Sequence, residues 1–276
     1  MTTMALRRRE LRSERFRRVV SLTWTLAVTD WKLRFYGSAL GYVWTLARPL
    51  LLFGTLYFVF TEIVKFGKGV DHYPVYLLSS IVLFTFFGET TSRGVRALVE
   101  RENLLRKMRF PRMVIPLAVA LHSLFNLGLN LIVVFVFIFA SGIEPTLDWL
   151  QIPLLIAMLV TFAVGVAMLL SALFVRYRDV EPIWEVALQL LFYASPVIYV
   201  VTTIPNPDLQ RLAVMNPIGA ILTQMRHALV DPSAPTATTV LGGWQWLAVP
   251  TGIVVAVFCL GWWVFMREAP RIAENL

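Results

Sequence analysis

Apolar residues along this chain gather in long runs separated by short, charged stretches. A helix that crosses a bilayer needs about 20 mostly apolar residues. Six stretches meet that need, running over 42–64, 74–91, 113–140, 151–175, 183–201 and 244–266. The third is long enough to tilt or kink. The sixth carries Trp244 and Trp246 at one end and Trp262 and Trp263 at the other, which suits the two interfaces where indole rings settle. The pattern predicts an all-α polytopic membrane protein with six transmembrane helices.

Two further segments have helical periodicity without being spans. Val20, Trp24, Val28, Trp31 and Phe35 recur on one side of a helix, with Arg18, Ser21, Thr25, Thr29 and Lys32 on the other. A basic amphipathic helix with tryptophans fits the plane of the cytoplasmic interface; packing against the rest of the protein is the alternative. Between the fifth and sixth runs, Ile218, Ile221, Leu222, Met225 and Leu229 form an apolar stripe on a helix too short to cross, preceded by Pro205, Pro207 and Pro217. Apolar, proline-broken backbone is tolerated at membrane depth where protein buries it. This predicts a re-entrant outer hairpin over 203–230, with an ordinary amphipathic surface helix as the alternative. The chain thus divides into a basic tail with an interfacial helix (1–36) and a membrane domain (37–276).

Charge orients these elements. Residues 7–34, the 93–112 loop, Arg176, Arg178, Arg267 and Arg271 hold twenty of the 25 lysines and arginines; Lys65, Lys68, Arg211 and Arg226 face them from the other side. Positive-inside topology then places both termini and the 93–112 loop in the cytoplasm, as an even number of spans requires. The 58% hydrophobic content exceeds that of soluble domains, about 45–50%. The net charge of +8 sits at the ends of apolar runs, which argues against nucleic acid as a partner.

Catalytic signals are sparse. Cys259 is the single cysteine and lies in an apolar run, which excludes an intrachain disulfide. No G-x-x-x-x-G-K-[ST] stretch is present, so ATP phosphates find no P-loop here. His72, His122 and His227 are too scattered for a metal set, and no metal or other cofactor is expected in this chain. Glu89 and Arg93 form an i,i+4 pair. His122, Asn126 and Asn130 recur on one face of the third span with Ser123 beside them, and polar groups in hydrocarbon face other helices or water. Arg48, early in the first span, either snorkels to the cytoplasmic surface or meets an anionic head group at a cavity mouth. Phe53, Tyr57 and Phe60 line one face of span one, and Phe84 and Phe87 one face of span two. These rings pack, face lipid, or line a channel in which they stack on sugar faces.

Several stretches resemble the membrane subunit of ABC-2-type polysaccharide exporters, the class that moves O-antigen, teichoic acid or galactan. In order they read Arg34-Phe35-Tyr36-Gly37-Ser38-Ala39-Leu40-Gly41-Tyr42-Val43-Trp44 with Arg48-Pro49-Leu50, then Asn103-Leu104-Leu105-Arg106-Lys107-Met108-Arg109-Phe110-Pro111-Arg112. Arg176-Tyr177-Arg178-Asp179-Val180, Ser195-Pro196-Val197-Ile198-Tyr199 and Asn216-Pro217 follow. The resemblance implies a homodimer with two cytoplasmic ABC ATPase subunits below it, ATP and Mg being bound there. It implies coupling roles for Asn103, Arg106, Lys107, Phe110, Pro111, Arg178 and Asp179, and an outer gate containing Pro196, Tyr199, Asn216 and Pro217. The cargo would be a lipid-linked anionic polysaccharide crossing the inner or plasma membrane. An exporter of a small hydrophobic compound fits the same frame. A membrane-embedded lipid-phosphate or glycosyl transferase would have to rely on Asp179 and Glu181.

Overall fold

The structure, a computed structural model, describes residues 2–35, 41, 43–65, 69–102 and 111–268. These residues form α-helices joined by short 3₁₀ turns, with no strand among them. They are α1 (Thr2–Phe35), α2 (Val43–Phe58, closing in a π-helical turn, Val59–Ile63), α3 (Tyr73–Arg96), α4 (Val114–Ala140) and α5 (Ile152–Arg176). They continue with α6 (Val180–Ala194), α7 (Pro207–Met215), α8 (Pro217–Leu229), α9 (Ala237–Leu241) and α10 (Ala248–Glu268).

Five segments are long and apolar enough to cross a membrane: Val43–Ile63, Tyr73–Arg96, Val114–Ala140, Leu147–Arg176 and Trp244–Glu268. They match five of the six expected spans. The remaining one, expected over 183–201, is not a continuous helix. The helix stops at Ala194, and Ser195 turns to extended backbone at ψ 149°. Pro196 explains the break. Its ring disfavours helical backbone in the preceding residue, and it has no N–H to donate. The 15 residues of α6 reach only about 22 Å.

α3 is the central element, buried along most of its length from Tyr73 to Val95. It packs against α2, α4, α5, α6 and α8. α5 and α10 form the closest pair of spans. A Cβ placed on Gly261 would lie 2.1 Å from the Gly165 carbonyl oxygen, and one on Gly165 would lie 2.7 Å from Phe258 Cα. Small residues let backbones approach to van der Waals contact where lipid offers no hydrophobic drive for association. Gly94 plays the same part between α3 and α5, since a Cβ there would meet Ala167 Cβ at 2.6 Å.

α1 lies along α4. Thr23 and Ala27 are buried in that contact, and Trp24 and Trp31 both meet Phe125 edge-on, at centroid distances of 5.6 and 6.0 Å. Phe16, Val20 and Trp24 remain exposed on its flank. The predicted apolar face is therefore split between protein contact and the surface.

Candidate functional site

Two polar assemblies stand at opposite ends of α3. The first surrounds Glu89. Its Oε1 accepts from Arg34 Nη1 of α1 at 2.6 Å and lies 3.2 Å from Arg93 Nε one turn on. Asn126 of α4 donates from Nδ2 to both carboxylate oxygens at 3.0 Å. Trp31 Nε1 donates to Asn126 Oδ1 at 3.1 Å, and Asn130 Nδ2 donates to the Asn126 carbonyl at 2.8 Å. His122 Nε2 lies 2.9 Å from Arg93 Nη1 and 3.4 Å from Arg34 Nη1. Arginine nitrogens only donate, so Nε2 accepts and the proton sits on Nδ1. The polar face expected on the third span is thus an interhelical network that fastens α1, α3 and α4 together. The Glu89–Arg93 pair was legible in the sequence; Arg34 as its third member was not.

The ion pairs continue beyond it. Arg101 pairs with Asp30 of α1, and Arg96 Nε meets Glu181 Oε1 of α6 at 2.5 Å. Trp184 Nε1 donates to Thr91 Oγ1 at 3.1 Å. The start of the 93–112 loop is therefore bonded both to α1 and to the first turn of α6, just past the turn between α5 and α6. That turn holds Arg178 and Asp179, both exposed, with the Arg178 guanidinium 4.8 Å from the Phe174 ring centroid. Pro111 is exposed. Asn103, Arg106, Lys107 and Phe110 lie outside the described residues. Glu181, the other candidate acid of a transferase, is engaged by Arg96.

The second assembly holds the proline-broken segment. The Tyr76 hydroxyl meets the carbonyls of Pro196 and of Tyr199, the latter at 2.7 Å, and the Tyr73 hydroxyl donates to the Ile198 carbonyl at 2.7 Å. Asn216 Nδ2 donates to Ser195 Oγ at 2.7 Å, while its Oδ1 caps α8 by accepting from the Ile218 N–H at 3.1 Å. Pro217 occupies the first turn of α8, where its missing N–H costs nothing. α7 and α8 meet so closely that a Cβ on Gly219 would lie 1.9 Å from the Ala213 carbonyl oxygen. The four residues expected at an outer gate are thus brought into one cluster. Beside it lies a recess of about 590 Å³ lined by Tyr199, Ile204, Leu209, Leu212 and Asn216. The α8 stripe of Ile218, Ile221, Leu222, Met225 and Leu229 is buried throughout. At the exit from α8, Asp231 lies 3.5 Å from Arg226 and accepts from the Ser233 N–H and hydroxyl. Burial raises its pKa, but the Ser233 bonds and Arg226 outweigh burial and hold it below the usual carboxylate range.

Tyr76→Phe removes the donor that the buried Pro196 carbonyl and the half-buried Tyr199 carbonyl share. We expect the protein in detergent to lose about 2 kcal/mol of stability. Hydrogen exchange should rise selectively over 195–229, and uniform or unchanged exchange would contradict the anchoring role.

The aromatic residues expected along a channel separate into two groups. Phe87 is fully buried within the protomer, stacked on Phe162 at 5.2 Å and edge-on to Trp184 at 6.2 Å. Phe84 is also buried and meets Phe192 edge-on at 5.1 Å. Both are packing residues in this conformation, because α5 and α6 cover the α3 face that carries them. Phe53 is buried too, between Tyr57 and Phe137 at 5.7 Å from each. Tyr57 and Phe60 are half-buried, and Arg48 is exposed on α2 beside the buried Pro49.

An all-helical bundle of membrane-length helices with a charged, helix-linking layer at one end and a tethered helical hairpin at the other defines a polytopic membrane protein. The chain belongs to the ABC-2 type transporter family, which residues 21–230 match. It is 27% identical over 250 residues to the O-antigen export system permease protein RfbA of Klebsiella pneumoniae, covering 90% of this chain and 92% of that one. It is 28% identical to the RfbA protein of Myxococcus xanthus, covering 77% and 82% of the two chains. The polysialic acid transport protein KpsM of Escherichia coli is 20% identical over 74% of this chain and 80% of its own.

Proposed function

We propose that this chain is the permease subunit of an ATP-driven exporter that carries a lipid-linked polysaccharide from the cytoplasm across the inner or plasma membrane. The family match over 21–230 carries the reading, and the relatives that cover most of the chain are permeases and transport proteins for O-antigen and polysialic acid. The two assemblies fit the work of such a subunit. The ion-paired layer ties the basic loop after α3 to the α5–α6 turn, so a push on either reaches both. The hairpin of α7 and α8 closes the far end.

In this reading α6 and the irregular 195–200 segment together make a sixth crossing, completed by backbone that protein buries. Both termini are cytoplasmic, α1 lies at the cytoplasmic interface, and α7–α8 re-enter from the outer side. A second copy covers two faces left open in the single chain. One is the row Ile183, Val186, Leu190 and Tyr193 on α6, and the other is Val43, Trp44, Leu51 and Phe58 on α2; all eight are exposed. ATP and Mg act in a partner ATPase that meets the 93–112 loop, Arg178 and Asp179. Arg48, Tyr57 and Phe60 remain the candidate contacts for an anionic head group and the sugar chain.

Affinity purification of the tagged chain from its native membranes tests the assembly. We expect a dimer carrying two copies of a cytoplasmic ATPase, and Arg178→Glu with Asp179→Arg should release the ATPase while the dimer persists. A monomer that brings down no ATPase would sink the proposal.

A further inference from the structure

α1 is 34 residues long, but only part of it rests on α4. Phe16, Val20, Thr23 and Ala27 stand at i, i+4, i+7 and i+11, so they form one stripe along the helix. Thr23 and Ala27 are buried against α4, while Phe16 is 70% exposed and Val20 51%. The stripe that docks α1 therefore runs on beyond its contact with α4 and stays open there. Trp24, beside it, is 56% exposed although its ring meets Phe125. A groove of about 370 Å³ lies among Phe16, Val20 and Trp24, with Arg17 and Ser21 completing its walls.

The same length of helix is strongly basic. Residues 2–22, about 30 Å of helix, hold seven arginines against two glutamates, Glu10 and Glu14. Arg17 and Arg18 are exposed beside the stripe. Binding at a bilayer interface grows with the apolar area buried and with attraction to anionic lipid. Three exposed apolar side chains supply little of the first. Each cation close to an anionic leaflet strengthens binding about fivefold, ~1 kcal/mol, so charge is the larger contribution here. A second copy of this end would bring the same cations, and the 93–112 loop adds seven more lysines and arginines, so like charge would meet like. Nucleic acid would leave Phe16, Val20 and Trp24 in water.

We propose that residues 2–22 of α1 are a docking surface for anionic phospholipid, with Phe16, Val20 and Trp24 at the acyl boundary and the arginines among the phosphate groups. The leaflet is the cytoplasmic one, an assignment that rests on the topology proposed above. Asp30 and Arg34 join the same helix to Arg101 and Glu89, so the charge of the leaflet bears on the ion-paired layer.

Hydrogen exchange of the purified full-length chain tests this, in nanodiscs of phosphatidylcholine alone and of phosphatidylcholine mixed with phosphatidylglycerol. We expect protection over 2–22 to rise at least tenfold with phosphatidylglycerol, while 23–35, docked on α4, changes little. Salt at about 1 M, where the screening length falls to about 3 Å, should remove the difference. Arg17→Gln with Arg18→Gln should lower the protection about twentyfold, and Arg17→Lys with Arg18→Lys should retain it. Equal protection in the two lipids would overturn the anionic preference, and no protection in either would overturn membrane docking. Protection that appears only when the co-purified ATPase is added would replace the lipid with protein. A nanodisc offers lipid on both faces, so these outcomes bear on the surface alone. An error in the topology would show instead as Thr3→Cys, in a Cys259→Ala chain, reacting with an impermeant maleimide from outside intact cells.

Discussion

Replacing Glu89 with Gln is expected to loosen α1 from the membrane domain and to uncouple it from the loop after α3. The Glu89 carboxylate is the one anion between Arg34 and Arg93 among the described residues, and it also takes both Nδ2 bonds of Asn126. Glutamine keeps the shape but leaves two guanidinium groups facing each other across a neutral amide and a histidine that already accepts from both. Removing one partner of a buried pair costs about 3–5 kcal/mol. The Glu89 side chain is 18% exposed and its arginine partners more so, which lowers the expected loss to ~2 kcal/mol. Thermal unfolding in detergent reads the stability, and limited proteolysis between α1 and α2 reads the undocking. Transport should fall further than stability alone accounts for, because the push no longer reaches α1. Unchanged proteolysis together with unchanged transport would show that the network is passive packing.

Gly261→Val is expected to damage folding more than the loss of the Glu89 carboxylate does. Even one methyl group at this position would sit 2.1 Å from the Gly165 carbonyl oxygen, and the reciprocal position faces Phe258 backbone. Neither neighbour is a flexible side-chain tip, so α5 and α10 must separate. Overpacking typically costs about 1–3 kcal/mol; separating two spans along their closest contact should cost at least about 3 kcal/mol. The measurement is the yield and melting temperature of monodisperse protein, beside Gly128→Val and Gly252→Val. An added Cβ meets nothing within 4 Å at either control site. Valine is the better helix former, so comparable losses in all three would show that the α5–α10 contact is not what sets the effect.

The contrast between what the chain's pattern conveyed and what it hid follows from range. Length and apolarity are local, so five spans and the buried stripe of α8 were legible. The break at Pro196 was equally local, yet the apolar run continues through it and hydropathy alone reads across. α9 was not read, because five residues carry too little periodicity. Periodicity assigns a face but not the neighbour. Phe84 and Phe87 share a face that α5 and α6 cover, and Asn126 shares one that meets Glu89 and Trp31. The ion pairs Arg34–Glu89, Arg101–Asp30 and Arg96–Glu181 join residues 55 to 85 positions apart. Sequence shows those charges only as topology signals, and the fold shows that several are also fasteners. Tyr73 and Tyr76 passed unnoticed for a related reason: a tyrosine near a span end reads as an interfacial anchor until its hydroxyl partners are known.

If this chain forms half of a conduit driven by a separate ATPase, transport should be recoverable from purified parts. The decisive experiment reconstitutes the chain with its co-purified ATPase in proteoliposomes preloaded with the lipid-linked polysaccharide. We expect ATP to move the polymer across the membrane, to where a membrane-impermeant lectin or glycosidase detects it. The movement should require both proteins and stop when the ATPase cannot hydrolyse. Equal movement without ATP, or no movement with a coupled and hydrolysing ATPase while a small hydrophobic compound is carried instead, would contradict the exporter reading.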